Sequence, residues 1–291
     1  MRILCFGSLN LDKVYKVEHF VKPGETLASL GLSLFCGGKG LNQSIALACA
    51  GCPVSMAGKV GKDGDMLIER LKEKGVDTSF VRQTQGESGH AVIQVDESGQ
   101  NSILLFGGAN REIDEAFIDE VLNNFQAGDF LLLQNEISGM PYIMSQAKKR
   151  GMIIVLNPSP MDDSLKKSGL ENVDWFLLNE IEGEQLTGES EPRLICEALS
   201  KMYPKSKTVL TLGEKGSVCF DGENYTEQAV YPTKVVDTTA AGDTFTGYFL
   251  AGLLQGQQIP EIMDMASRAC SITVSREGAS DSIPKMSEVI C

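Results

Sequence analysis

VVDTTAAGDTFTGYF, running from Val235 to Phe249, brings together three kinds of sequence. The apolar pair Val235-Val236 reads as the end of a strand. Ala240, Ala241 and Gly242 have little or no side chain, so another molecule can approach their backbone amides closely. Asp243 stands at the mouth of that cradle. Beyond it Phe245, Phe249, Leu250, Leu253 and Leu254 recur at spacings of three or four, which predicts an amphipathic helix. A strand, a small-residue turn and a helix N-terminus make an anion site, because the first amides of a helix have no partner within it. Asp is also a favoured helix cap, so Asp243 alone reads equally well as a cap without chemistry.

The flanking sequence supplies the fold. Residues 2–6, 54–60, 130–133, 153–156, 175–178 and 208–212 are apolar, β-favouring runs. Helical periodicity falls at 41–50, 63–74, 114–124, 139–149 and 261–275. This rhythm predicts a three-layer α/β/α sandwich with a mainly parallel central sheet, in a single domain over 1–291. Four short runs break it, at about 14–20, 30–35, 90–95 and 102–106, the last two joined by the turn residues DESGQN. They predict a small β-sheet lid built from segments of about 12–36 and 88–108. An extension of the main sheet's edge is the alternative. Apolar strands on such a lid also suggest a homodimer in which two lids pair.

In open α/β sheets ligands collect at the carboxyl ends of the strands. Polar residues stand there repeatedly: Asn10 and Asp12 in GSLNLD, Glu136 in QNE, and Asn157 in NPSP. Asn and Asp are common turn formers too. In CGGKGLNQ, glycines 37, 38 and 40 free the backbone, and Lys39 and Asn42 fall in the first helical turn. The segment has neither the gap nor the Lys-Ser/Thr pair of a Walker A loop. Asn179 and Glu182 share a face if a helix has begun, which suits Mg²⁺ through water or, equally, an exposed acidic helix start. Thr211, Gly213 and Gly216 offer a second small-residue edge, open enough for a nucleotide.

A formal charge of −13 argues against a nucleic-acid or anionic-membrane surface, yet allows a phosphate held by amides and a few local cations. The first apolar run is too short for a signal peptide and no run is long enough to span a bilayer, so a cytoplasmic location is expected. The eight cysteines, at 5, 36, 49, 52, 196, 219, 270 and 291, lie mostly in apolar segments, as reduced buried thiols would. Cys49-x-x-Cys52 has no second pair, and His19 and His90 are distant, so no zinc or redox site is read here.

Two segments carry a resemblance. GGKGLNQS at 37–44, with Gly51 and Gly61 downstream, and DTTAAGD at 237–243 are similar to the two signatures of the ribokinase-like (PfkB) sugar kinases, and the resemblance spans essentially the whole chain. Tyr248 departs from it, standing where a small residue is usual. GSLNLD, Glu136, NPSP, Asn179-x-x-Glu182, TLGEKG and SREGASDS resemble the members that act on ribose. The resemblance implies ATP-dependent transfer to a primary hydroxyl of a small sugar, D-ribose giving ribose 5-phosphate. The alternatives are fructose, a deoxy keto sugar acid, a nucleoside, a phosphosugar, or a non-catalytic binding protein. It implies Asp243 as base, with Ala240, Ala241 and Gly242 as anion hole and Asn10, Asp12, Gly38, Lys39, Asn42 and Glu136 on the sugar. Asn179, Thr211, Gly213, Gly216 and Gly242 would hold ATP, and Asn179 and Glu182 would serve Mg²⁺. A K⁺ site would map to Asp237, Thr239, Thr273, Gly278 and Ser282.

Overall fold

The structure is a computed structural model that describes residues 1–290. In chain order its elements are β1 (Ile3–Phe6), β2 (Asn10–Lys16), β3 (Gly31–Gly37), α1 (Lys39–Cys49), β4 (Val54–Val60), α2 (Asp65–Glu73), β5 (Asp77–Gln83), β6 (Gly89–Val95), β7 (Asn101–Phe106), α3 (Glu115–Leu122), β8 (Phe130–Gln134), α4 (Met140–Lys149), β9 (Ile153–Asn157), β10 (Trp175–Asn179), α5 (Glu180–Thr187), α6 (Pro192–Met202), β11 (Lys207–Thr211), β12 (Ser217–Phe220), β13 (Tyr225–Gln228), α7 (Ala241–Leu254), α8 (Ile259–Thr273) and α9 (Met286–Val289).

The main sheet has the order β13-β12-β11-β10-β9-β8-β1-β4-β5. Its strands from β11 to β5 are parallel, and β12 and β13 close one edge antiparallel. Strand β1 lies at its heart and is fully buried. Side chains alternate across a strand, so Ile3 and Cys5 join one core with Leu41, Ile45 and Phe249, while Leu4 and Phe6 join the other with Ile118, Ile143 and Ile195. Two cores separated by a sheet buried on both faces give the expected three layers, which is why the central strands read as continuous apolar runs.

The short runs form a separate four-stranded sheet, β3-β2-β6-β7, so the edge-extension reading is excluded. Strand β2 pairs parallel with β6, and β3 and β7 flank them antiparallel. Leu32, Leu34, Phe35, Ile103, Leu104, Leu105 and Phe106 are exposed on it.

Several features differ from expectation. Strand β2 begins at Asn10, so Asn10 and Asp12 stand within the small sheet and not in a loop after β1. Val235-Val236 is not a strand end: both side chains are exposed, and the Val236 amide bonds to the carbonyl of Val274 just beyond α8, not to the sheet. Strands β5 and β13 have no counterpart in the apolar pattern, because each lies at a sheet edge and buries little. Helix α6 also escaped notice, although Pro192 in its first turn is a start signal.

All seven described cysteines are free thiols. Burial pushes Cys5 up to about 11 and Cys196 and Cys219 to about 12, as inert core thiols require. Cys291 lies outside the described residues. No helix among the described residues is long and apolar enough to cross a membrane.

Candidate active site

The start of α7 is built by one unusual residue. Ala240 has φ +60°, and no other non-glycine residue among those described has a positive φ. The left-handed turn costs about 1 kcal/mol for an L-residue and folds the chain back, so that the Ala241 amide donates to the Thr238 carbonyl at 3.2 Å. Ala241 is thereby removed from the expected anion hole as an amide donor. The next two amides, of Gly242 and Asp243, donate to no protein group among the described residues.

Asp243 is the third residue of α7, and its side chain does not cap the helix. The carboxylate instead accepts from Asn42 Nδ2 at 3.1 Å and Gln43 Nε2 at 2.9 Å, both on α1. This meeting depends on Gly247. A Cβ there would collide with Ala46 and lie 2.9 Å from the Leu47 amide, so α1 and α7 approach with backbone nearly touching. The reading of Asp243 as a mere cap is therefore overturned: its oxygens face a neighbouring helix.

The start of α1 is fixed against β1 in turn. Gly38, at φ +95°, lies where a Cβ would sit 2.9 Å from the Ser8 carbonyl, and the Leu41 amide donates to that same carbonyl at 3.0 Å. Glu136, just past β8, accepts from the Ser8 hydroxyl and from the Lys39 amide at 3.1 Å. Asn10 accepts through Oδ1 from Asn110 Nδ2 at 2.7 Å, and Asn110 is itself pinned by the Leu9 amide at 3.1 Å. The Asn10 amide group is thus turned so that its NH₂ is left for another partner. Burial, reinforced by the charge of Glu136, pushes Asp12 up to about 7. Asn10, Asp12, Gly38, Lys39, Asn42 and Glu136 consequently belong to one neighbourhood.

Asn179 and Glu182 form a reciprocal capping box. Asn179 Oδ1 accepts from the Glu182 amide at 2.8 Å, and Glu182 Oε2 accepts from the Asn179 amide at 3.1 Å. Glu182 is buried, which corrects the picture of an exposed acidic helix start. Both line a cavity of about 250 Å³ together with Lys39, Asn157, Gly242 and Asp243. A second cavity, of about 610 Å³, adjoins it and is lined by Thr211, Gly213, Gly216, Tyr231, Val235 and Val274; Asn179, Ala241, Gly242 and Phe245 border both. The Val235 side chain that the sheet does not use thus walls this cavity. Its size suits a drug-sized ligand such as a nucleoside.

Below α7, Asp237 Oδ1 accepts from the Thr239 amide (2.8 Å) and hydroxyl (2.6 Å), and Oδ2 from the Gly278 amide at 3.0 Å. Burial raises its pKa, but these three donors outweigh that and hold Asp237 below the usual carboxylate range. The other two residues expected with them are committed elsewhere: the Thr273 hydroxyl pairs with that of Thr244 at 3.1 Å, and the Ser282 hydroxyl donates to the Ala279 carbonyl at 2.7 Å. Tyr248 is fully buried and donates to the Pro284 carbonyl at 2.8 Å, so the larger residue ties α7 to the C-terminal segment behind the site. No group of three or more His, Cys, Asp or Glu among the described residues is arranged to hold a metal.

Three contributors were not read from the sequence, Ser8, Gln43 and Asn110, and Gln134 was read only as one of the polar residues at its strand end. Gln43 follows Asn42 in the glycine-rich segment and is the one that a closer reading of the first helical turn reaches. The others act through contacts that only the folded sheet creates.

Comparison with known proteins identifies the family and the fold. The family model for pfkB family carbohydrate kinases matches residues 1–286. The chain is 35% identical to the ribokinase of Haemophilus influenzae, with 99% of this chain and 97% of that one covered. Among solved structures it resembles Arabidopsis thaliana ribokinase complexed with ribose and ATP, at TM-score 0.89 and 32% identity, covering 99% of this chain and 97% of that one. It also resembles Cryptococcus neoformans ribokinase in complex with ADP, at TM-score 0.87, 32% identity and coverage of 99% and 98%. With both signatures folded into one cleft and the family match running through nearly the whole chain, this protein belongs to the pfkB family of carbohydrate kinases.

Proposed function

We propose that the protein transfers the γ-phosphate of ATP to the primary hydroxyl of D-ribose, giving ribose 5-phosphate. The observation that carries this is the placement of Asp243, held between α1 amides at the junction of the sugar-side residues and the unpaired α7 amides. ATP fits the larger cavity with its phosphates running past Asn179 towards Gly242. The amides of Gly242 and Asp243 then meet the charge that spreads over the transferring oxygens. Asn10 donates to a sugar oxygen, while Asp12 and Glu136 accept from sugar hydroxyls.

Asp243 accepts the proton of the attacking hydroxyl. A carboxylate is a weak base for an alcohol, and in a loose transition state that proton leaves late, so much of what Asp243 contributes is alignment. The small sheet, anchored by β2 beside the sugar residues, is the lid that excludes water. Its exposed apolar strands pair with those of a second copy.

Residues suited to Mg²⁺ and K⁺ are present. Glu182 spends Oε2 on the capping box and has its other oxygen for a metal-bound water, which with Asn179 matches a Mg²⁺ that keeps several waters. Bound there, Mg²⁺ supplies charge neutralisation to the phosphates. Oxygen ligands for K⁺ would come from the Asp237 carboxylate and the Thr239 hydroxyl beside it, with Thr273 and Ser282 offering backbone carbonyls since their hydroxyls are taken. Turnover is expected to be slow in Na⁺-only buffer and restored by K⁺; equal rates in both would exclude the cation role.

The test of substrate is ADP release with a panel of D-ribose, 2-deoxyribose, fructose, a deoxy keto sugar acid, a nucleoside and a phosphosugar. D-ribose should give the highest kcat/KM. Silence with ribose and turnover of another sugar would reassign the substrate within the family.

A further inference from the structure

Two buried amides outside the roles above are joined to Asp243 in a line. Gln134 Nε2 donates to Gln43 Oε1 at 2.7 Å, and Gln43 Nε2 donates to Asp243 Oδ1 at 2.9 Å. The exposures of Gln43 and Gln134 are 1% and 0%, so water does not compete for these bonds. The direction of the line follows from its end. An ionised carboxylate only accepts, so Gln43 turns its NH₂ to Asp243 and its oxygen back to Gln134, which must then offer NH₂ in turn.

That direction leaves a visible cost. Gln134 Oε1 is buried without a partner among the described residues, a rare condition for a native amide. The chain accepts an orphaned oxygen at the end of β8 to keep a donor pointed along the line. Gln134 ends β8, which pairs with the fully buried β1 in the middle of the sheet, while Asp243 sits on α7. Gln43 on α1 bridges the two.

We propose that Gln43 and Gln134 are positioning residues that hold the plane of the Asp243 carboxylate, so that its free lone pairs face the attacking hydroxyl. This rests on Asp243 being the base. The torsion of a carboxylate about its last bond is broad, and one hydrogen bond, from Asn42, does not fix it. Two bonds, one to each oxygen, do. Loss of Gln43 leaves the sugar and ATP contacts in place but lowers the fraction of aligned carboxylate, so the effect falls on kcat and not on KM.

The test is a double-mutant cycle on the full chain with D-ribose and ATP: wild type, Gln43→Met, Asp243→Asn and the double variant, each checked by thermal melting. Gln43→Met is expected to lower kcat about 10- to 100-fold with both KM values within roughly threefold, and to add less than about twofold in the Asp243→Asn background, since residues acting as a unit are non-additive. Gln134→Met, which removes only the anchor, should give a smaller loss of the same kind, and it carries the test if Gln43→Met fails to fold. Wild-type kcat in the folded Gln variants, or an equal loss in both backgrounds, overturns the positioning role and leaves the base intact. Wild-type kcat in Asp243→Asn overturns the base reading and the positioning role with it.

Discussion

Asp243 and Asp12 are both carboxylates near the cleft, yet their surroundings give them different work. Asp243 has an amide donor on each oxygen. The Asp12 carboxylate makes no hydrogen bond among the described residues, is raised from 3.8 to about 7 by burial and the charge of Glu136, and occupies the space that a side chain at Gly37 would enter. A sugar hydroxyl donates best to the ionised form, so the KM for sugar is expected to rise as pH falls below about 7. A KM flat from pH 8 to about 5.5 would contradict this use of Asp12. Linkage gives a second outcome. A carboxyl raised in the folded state binds a proton between 3.8 and about 7 that the unfolded chain does not, so folding stability falls as pH rises through that window. Asp12→Asn should therefore stabilise the ligand-free protein at pH 8, by an amount that vanishes near pH 4, while weakening sugar binding. Thermal melts of both forms at the two pH values check this.

Among the elements, the pair α1 and α7 matters most, because their close approach assembles the site. Gly247→Val forces a side chain into Ala46 and the α1 backbone. It should cost about 1–3 kcal/mol by urea unfolding, and lower kcat as well, since Asn42 and Gln43 are carried away from Asp243. Unchanged stability and rate would show that the contact yields freely. The legibility of these elements was uneven for physical reasons. The starts of α1 and α7 were readable because glycine and alanine are demanded there by backbone geometry, which local sequence records directly. The Ala241 amide was misjudged because the left-handed turn at Ala240 spends it on Thr238, and nothing in AAG announces that bond. Gln43, Gln134, Ser8 and Asn110 are ordinary polar residues until strand register and helix packing place them. Edge strands β5 and β13 bury too little to leave an apolar signature.

For the whole molecule, the sandwich is buried on both faces of its central sheet, while the small sheet exposes seven large apolar side chains. Ile103 and Leu105 lie on the same face as Asp12, as the pairings of Asp12 with Ala91 and Ala91 with Leu105 show. Pairing through that face would cover the sugar site as well as the apolar strands. Ile103→Asp with Leu105→Asp is expected to give monomers by light scattering and a raised KM for sugar; dimers that persist would place the contact elsewhere. The central claim, that this cleft phosphorylates ribose with Asp243 as base, is tested most directly by following ADP and ribose 5-phosphate together, for wild type and for Asp243→Asn, with D-ribose and Mg²⁺-ATP in K⁺ buffer. The account predicts equal amounts of the two products from the wild type and a kcat lower by at least about 100-fold in the variant, with ATP binding retained. ADP without sugar phosphate, or an Asp243→Asn enzyme as fast as the wild type, would contradict it.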